Sequence, residues 1–158
     1  MTAYKHILVP VDFSQSAERA LEAAMGIGKT FDATLTLFHV YLNPIQNYGY
    51  VEGVAWPTAE IEHGARVALD ALVERTKPRY PKLQSALTGG EPWREVVDFI
   101  EKSDTDLVVM GTHGRRGVKR LILGSVAEKV VRMSPVPVLI VPGPREEASE
   151  LGTGAKVD

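Results

Sequence analysis

The stretch that decides the fold reads Asp106-Leu107-Val108-Val109-Met110-Gly111-Thr112-His113-Gly114 and then, nine residues later, Gly124-Ser125. The apolar run 107–110 is typical of a buried strand, and apolar residues recur at helical spacing after Ser125. The predicted order is therefore strand, glycine-bracketed loop, helix. This order brings flexible backbone and free helix N–H groups to the end of a sheet strand, where a phosphate or another anion can bind.

The composition is that of an ordinary soluble globular chain. Apolar residues make up 44% and charged residues 24%, and the formal net charge is −2, so neither nucleic acid nor an acidic membrane surface is expected as a partner. No apolar run approaches the roughly 18 residues of a membrane-spanning helix, and Met1 leads into a strand pattern instead of a signal peptide. Cysteine is absent, which excludes disulfides and fits a reducing compartment. We predict one domain (1–142) in the cytoplasm and a flexible tail (143–158).

Strand and helix patterns alternate along the chain. Strands are predicted at 5–11, 33–41, 82–87, 106–110 and 136–141, and helices at 15–31, 59–77, 93–102 and 126–133. The segment 42–57 predicts a long loop. Strands one, two and four are nearly continuous apolar runs, as expected where helices cover both sheet faces. The predicted fold is α/β: a single open, doubly wound, mostly parallel five-stranded sheet, Rossmann-like, with its ligand site outside the strand carboxyl ends.

Two serines are predicted to cap helices. Ser14 is placed to cap the first helix. Ser125-Val126-Ala127-Glu128 matches a capping box, in which Ser125 is the cap and Glu128 reaches back to the cap amide.

Three residues near the strand ends carry open alternatives. Pro10 falls in a central strand, where either a local bulge or an early end of the strand would explain it. Asp12 either contacts a ligand or only starts the following turn. His39 is interpreted as a satisfied histidine near the site and not as a catalytic group.

Positive charge concentrates around the glycine loop. Between Gly111 and Arg132, six lysines and arginines stand against one acid, Glu128, for a local net charge of +5. Unsatisfied amides and the helix dipole add to this charge, which favours a di- or triphosphate. The alternative is that the glycines only turn the chain and the basic side chains form a solvated face.

At this point the chain resembles the universal stress protein family. The resemblance rests on Gly111-x₂-Gly114-x₉-Gly124-Ser125, on Val-Pro-Val-Asp-Phe-Ser at 9–14, and on Ser-Pro-Val-Pro-Val-Leu-Ile-Val at 134–141. The resemblance extends from Tyr4 to Pro142. The spacing of the glycines and the serine is similar to that in the branch of the family that binds ATP. The resemblance implies a strand order of 3-2-1-4-5 and an adenine nucleotide, ATP, ADP or AMP, as the cofactor.

The resemblance also implies a set of cofactor-binding residues. They are Pro10, Val11 and Asp12 beside the adenosine, Val40 at the adenine, Met110 and Gly111 along the nucleoside, and Gly114, Gly124, Ser125 and Val126 at the phosphates. His113, Arg115 and Arg116, where family members vary, complete the set. Mg²⁺ or Mn²⁺ is expected to bind through the phosphates, since di- and triphosphates usually bring such an ion. A zinc site is not expected, because His6, His63 and His113 lack metal-ligand spacing.

The last strand is expected at a sheet edge, where an apolar strand is a template for pairing. The resemblance implies a homodimer through Val136, Val138, Leu139, Ile140 and Val141. Tyr48, Tyr50 and Trp56 either cover a ligand or contact a partner, and nothing is carried over from the family to 43–57.

Three functions remain open from the sequence. The leading one is a nucleotide-dependent switch or sensor in stress response, in which ATP orders the loop 112–124 and alters a partner surface. The second is a weak ATPase or phosphotransferase, with Asp12 helping to hold metal or water. The third is a dimerisation module without nucleotide. No catalytic residue is predicted, because the motif cradles phosphates without an evident general base.

Overall fold

The computed structural model describes residues 3–113 and 123–144. Within them, one sheet contains β1 (His6–Pro10), β2 (Thr34–Tyr41), β3 (Leu83–Gly89), β4 (Leu107–Gly111) and β5 (Val138–Val141). The helices are α1 (Gln15–Phe31), α2 (Pro44–Tyr48), α3 (Thr58–Thr76), α4 (Pro92–Glu101) and α5 (Ser125–Met133). Neighbouring strands are parallel and their order is β3-β2-β1-β4-β5. The α/β prediction and the strand order 3-2-1-4-5 are confirmed.

Two apolar cores lie on opposite faces of the sheet. Alternate residues of a strand point to opposite faces, so Ile7 and Val9 pack with α1 and α3, whereas Leu8 packs with α4 and α5. The helix predicted at 59–77 is confirmed as α3, and its Leu69 and Leu72 are buried in the first core. Helices on both faces explain why the central strands are apolar throughout.

The first helix begins as predicted. Ser14 has extended backbone angles, and its hydroxyl oxygen accepts a hydrogen bond from the Ala17 amide at 3.2 Å. This bond satisfies one of the free amides of the first turn. It fixes where α1 starts relative to the end of β1.

The predicted capping box at the last helix is wrong. Gly124 is the N-cap of α5, Ser125 is already helical, and within the described part of the chain no side chain caps the helix. The Glu128 amide bonds the Gly124 carbonyl at 2.9 Å, while the Glu128 carboxylate pairs with Arg132 at 2.6 Å. The cap therefore moves one residue earlier, to the glycine whose backbone is held by the end of β4.

The sequence predicted a continuous loop at 42–57, and this prediction is wrong. It contains α2, which begins at Pro44 after an Asn43 cap whose side-chain oxygen accepts from the Ile45 amide at 3.1 Å. Proline suits the first helical position because its missing N–H has no intrahelical partner there. The Asn-Pro pair that predicted a loop starts a short helix instead.

The last strand is shorter than predicted. β5 begins at Val138, two residues after the expected start. Pro137 cannot donate to the strand ladder, and the Ser134 hydroxyl holds the preceding turn by donating to the Val136 carbonyl at 2.8 Å. The predicted boundary between domain and tail at residue 143 stays a prediction, and residues 145–158 lie outside the described part.

Candidate functional site

A crevice opens where β1 and β4 separate at their carboxyl ends. β1 pairs with β2 over five residue positions, but with β4 only at Ile7–Leu107 and Leu8–Val108. The next strand after β1 in sequence lies on one side of it and β4 lies on the other, so this is the switch point of the sheet order. Ligands of doubly wound sheets bind at this position.

Pro10 explains why the two strands separate there. The Val11 N–H donates to the Phe38 carbonyl at 2.8 Å, so the polar backbone atoms of residue 11 point toward β2. Because this direction alternates along a strand, those of residue 10 point toward β4. Proline has no N–H to donate in that direction. The register along β2 is continuous through Pro10–Phe38, so the strand ends early and the bulge alternative is wrong.

Asp12 stands at the mouth of the crevice and orders the turn into α1. Its Oδ1 accepts hydrogen bonds from the Ser14 amide at 3.0 Å and the Ser14 hydroxyl at 2.5 Å. Phe13 between them has a positive φ of 64°, a conformation that non-glycine residues adopt at a cost. The interpretation that Asp12 starts the following turn is therefore confirmed for its Oδ1 atom. Contact between Asp12 and a ligand stays a prediction.

His39 fastens the end of β2 to the end of β1. Its Nδ1 lies 2.7 Å from the Val11 carbonyl oxygen, and its ring lies 4.6 Å from the Phe13 ring between centroids. The interpretation as a satisfied histidine near the site is confirmed.

Val40 presents its backbone beyond the end of β1. The Phe38 carbonyl faces β1, and backbone direction alternates along a strand. The N–H and C=O of Val40 therefore point toward the same side, past the last residue of β1. A donor and an acceptor in that position can meet the edge of a planar ring.

Gly111 brings the end of β4 against the first turn of α1. A Cβ at Gly111 would lie 2.8 Å from the backbone carbonyl carbon of Ser16, so only glycine fits without movement. The Ser16 hydroxyl is buried and has no hydrogen-bond partner among the residues that the structure describes. Sequence reasoning missed Ser16, because nothing in the pattern separates it from other serines near a helix start.

Thr112 and Gly124 join the two ends of the glycine loop. The Gly124 amide donates to the Thr112 carbonyl at 2.5 Å, and a Cβ at Gly124 would lie 2.6 Å from that oxygen. The Thr112 hydroxyl lies 2.9 Å from His113 Nδ1. This contact sets the start of α5 beside the end of β4, although nearly the whole loop separates them in sequence.

The start of α5 supplies the donors. The amides of its first turn precede the first intrahelical hydrogen bond, and the helix dipole makes this end partly positive. Ser125 is exposed, Val126 is half-buried, and Met110 beneath them is buried. Of the predicted phosphate-side residues, Gly114, Arg115 and Arg116 lie outside the described part of the chain.

A second groove, of about 580 Å³, lies between α1 and α3. Four of its charged side chains form two ion pairs, Arg75 with Glu18 at 3.0 Å and Arg79 with Glu22 at 2.7 Å, and Arg19 donates to the Pro142 carbonyl at 3.0 Å. The pKa of the Glu22 carboxyl is lowered by the hydrogen bond from Arg79. We assign this groove a structural role, since its ion pairs join α1 to the end of α3 and the residues that follow it.

Two of the aromatic residues of 42–57, Tyr48 and Tyr50, are exposed, and Trp56 is half-buried. Tyr48 stacks on Trp56 with ring centroids 5.9 Å apart, and Tyr50 is 79% exposed. The segment follows β2 directly. Whether it covers a ligand or contacts a partner stays open.

Metal and membrane sites were also sought. In residues 3–113 and 123–144, no three histidine or acidic side chains come together as a metal site. No helix of the same residues is long and apolar enough to cross a bilayer.

Comparison with known proteins gives the family. The family model for the universal stress protein family matches residues 3–142. Universal stress protein MJ0531 of Methanocaldococcus jannaschii is 33% identical over 147 residues, covering 91% of this chain and 85% of that protein.

Solved structures share the fold. The structure of the MJ0577 protein, a universal stress protein of the same organism, has a TM-score of 0.76 at 27% identity, covering 92% of this chain and 100% of the other. A universal stress protein in complex with cAMP and one from Archaeoglobus fulgidus in complex with dAMP have TM-scores of 0.66 and 0.64, each at 24% identity. The match to the cAMP complex covers 89% of this chain and 99% of the other, and the match to the dAMP complex covers 88% of this chain and 98% of the other. With the sheet order, the glycine spacing and a family match over most of its length, this chain belongs to the universal stress protein family.

Proposed function

We propose that the crevice between β1 and β4 binds an adenine nucleotide and that this protein belongs to the ATP-binding branch of its family. The observation that carries the proposal is the Thr112–Gly124 contact, which sets the free amides of α5 beside the end of β4. An anion there meets main-chain donors at a partly positive helix end. The fold itself accommodates adenosine monophosphates, since two neighbours with it hold cAMP and dAMP.

The proposed nucleotide spans the crevice. The phosphates lie at Gly124, Ser125 and Val126, with Gly114, His113, Arg115 and Arg116 contributing from the loop. The adenosine lies along Met110 and Gly111 and beside Pro10, Val11 and Asp12, and the adenine edge meets the Val40 backbone. Mg²⁺ or Mn²⁺ would enter with the nucleotide, bound through its phosphates.

In this proposal the nucleotide acts as a cytoplasmic switch or sensor. It changes the surface around the carboxyl edge of the sheet, where the crevice and the aromatic segment 42–57 both lie. ATP hydrolysis at ordinary enzyme rates, about one turnover per second or more, would contradict a switch-only role.

We further propose a homodimer through β5. The strand lies at the edge of the sheet, with β4 on one side. Leu139 is 40% exposed, and Val131 and Met133 at the end of α5 are 46% and 53% exposed. An apolar edge strand of this kind is a template for pairing with a second copy.

Isothermal titration with ATP, ADP, AMP and cAMP, with and without Mg²⁺, tests the nucleotide proposal. Gly124→Asp should abolish binding, because it adds bulk and negative charge at the proposed phosphates. Gly143→Asp is the matched control, since a Cβ at Gly143 meets nothing within 4 Å. Equal binding by the Gly124→Asp variant and the natural protein would refute the proposed phosphate position.

A further inference from the structure

A cluster of charged groups surrounds Trp93 beside the start of α5. The Trp93 indole Nε1–H donates to Glu91 Oε1 at 2.6 Å. Lys129 Nζ lies 3.8 Å from the same oxygen and 5.4 Å from the centre of the Trp93 ring. Arg94 lies 3.8 Å from Glu91 Oε2 and 5.2 Å from the ring centre. One carboxylate and one indole thus hold two cations.

Lys129 stands apart within this cluster because of its place on α5. It follows Ser125 by four residues, so the two side chains share one face of the helix, one turn apart. Helical side chains lean toward the N-terminus, which directs the Lys129 ammonium toward the proposed phosphate site. Its side chain is 51% exposed, so it is free to change rotamer.

Releasing Lys129 leaves the rest of the cluster satisfied. Glu91 Oε1 keeps the Trp93 hydrogen bond and Oε2 keeps Arg94. The Trp93 ring also keeps Arg94 as a cation on its surface. A half-exposed ion pair at 3.8 Å is weakly held, whereas a polyphosphate offers several charges at a helix start. The balance between the two positions of Lys129 therefore depends on how many phosphates are present.

We propose that Lys129 is a specificity-determining residue that moves from Glu91 and Trp93 to the added phosphates of a nucleoside di- or triphosphate. This inference rests on the proposed function, and it adds the residue by which the site distinguishes ATP from AMP. Because Trp93 loses a cation when ATP binds, the indole reports the movement. Glu91 competes with the phosphates for the same ammonium.

The test measures ATP and AMP affinity for the natural protein and four variants at low ionic strength. Lys129→Gln should weaken ATP binding about threefold to tenfold and leave AMP binding unchanged. Glu91→Gln, which keeps an acceptor for Trp93, should strengthen ATP binding by freeing Lys129. In the Lys129→Gln background, Glu91→Gln should have no effect. Arg132→Gln is the control, since it removes the same charge from α5 at a residue paired with Glu128.

Fluorescence supplies an independent readout. The chain has two tryptophans, so Trp56→Phe isolates Trp93, whose emission should change with ATP and remain constant with AMP. Equal losses of ATP and AMP affinity in Lys129→Gln, or an effect of Glu91→Gln that persists without Lys129, would overturn the inference. If the natural protein binds AMP and ATP but Lys129→Gln does so equally well, only the inference fails. If the natural protein binds neither, the proposed function fails with it.

Discussion

The backbone amide of Gly124 donates a hydrogen bond to the carbonyl oxygen of Thr112 and thereby ties the start of α5 to the end of β4. A side chain at residue 124 would collide with that oxygen, because a Cβ would lie 2.6 Å from it. Gly124→Ala should therefore destabilise the protein by about 1–3 kcal/mol, as overpacking against backbone does. Urea denaturation measures the change. Gly143→Ala, which adds the same methyl group in open space, should stay close to the natural protein, and equal stability of both variants would contradict the contact.

Gly111→Ala tests the second close approach. Its Cβ would lie 2.8 Å from the Ser16 backbone, so β4 or α1 must shift, and we expect a loss of about 1–3 kcal/mol. Gly64→Ala is the matched helical control, since a Cβ at that exposed position of α3 meets nothing within 4 Å. It should stabilise the protein by about 0.5–1 kcal/mol through helix propensity. Thermal unfolding should show a lower midpoint temperature for Gly111→Ala and a higher one for Gly64→Ala. A stabilising Gly111→Ala would show that Gly111 and Ser16 are not in tight contact.

Two substitutions of Asp12 separate its role in the turn from a contact with ligand. Asp12→Asn keeps an oxygen that accepts from Ser14, so stability should change little, while the lost charge should alter nucleotide affinity. Asp12→Ala should also lose about 1 kcal/mol of stability, because the Ser14 amide loses its acceptor. Chemical denaturation and nucleotide titration on both variants measure the two effects. If Asp12→Asn binds nucleotide normally, the carboxylate serves the turn alone.

Leu139→Lys tests the proposed homodimer. The substitution places a charge on an exposed position of the edge strand, which disfavours pairing with a second copy. We expect a monomer by sedimentation, with nucleotide affinity retained. Val67→Lys is the control, since Val67 on α3 is 55% exposed and lies away from β5. A natural protein that is already monomeric at high concentration would refute the dimer.

The Glu22–Arg79 pair predicts a small pH dependence of stability. Arg79 lowers the pKa of the Glu22 carboxyl in the folded state, so the pair contributes stability above the unfolded-state pKa and loses it as pH falls through the lower folded-state pKa. Because both side chains are 57% exposed, Glu22→Gln should cost at most about 1 kcal/mol at pH 7. The difference between variant and natural protein should shrink as pH falls through the lowered folded-state pKa of Glu22 and vanish below it. A difference that persists at pH 2 would assign the effect to packing instead of charge.

The helices and strands of the fold follow closely from residue patterns. Several of the residues at which they begin or end do not. The α1 span and its Ser14 cap agree with the sequence because hydrophobic period and capping chemistry are both local. The α5 cap fails, since the choice between Gly124 and Ser125 is made by Thr112, a tertiary contact that no local pattern contains. The short helix α2 is missed for a different reason: five residues are too few to show a period.

The candidate site divides in the same way. Asp12, Val40 and Gly111 could be assigned to strand ends, because an alternating α/β pattern brings all carboxyl ends to one edge. Ser16 and the Lys129–Glu91–Trp93 cluster could not, since both depend on which elements become neighbours across the fold. Residues on different helices carry no common spacing in the sequence.

Proline at position 10 gives the crevice a property that side chains alone would not. A residue with an N–H at this position could form a hydrogen bond to β4 when no ligand is bound. A ligand would then have to break that hydrogen bond in order to bind. Because proline lacks an N–H, residue 10 cannot close this gap by donating a hydrogen bond to β4. For the proposed nucleotide site, the shape of the crevice is therefore set before binding, and the association rate should not be limited by separation of the two strands.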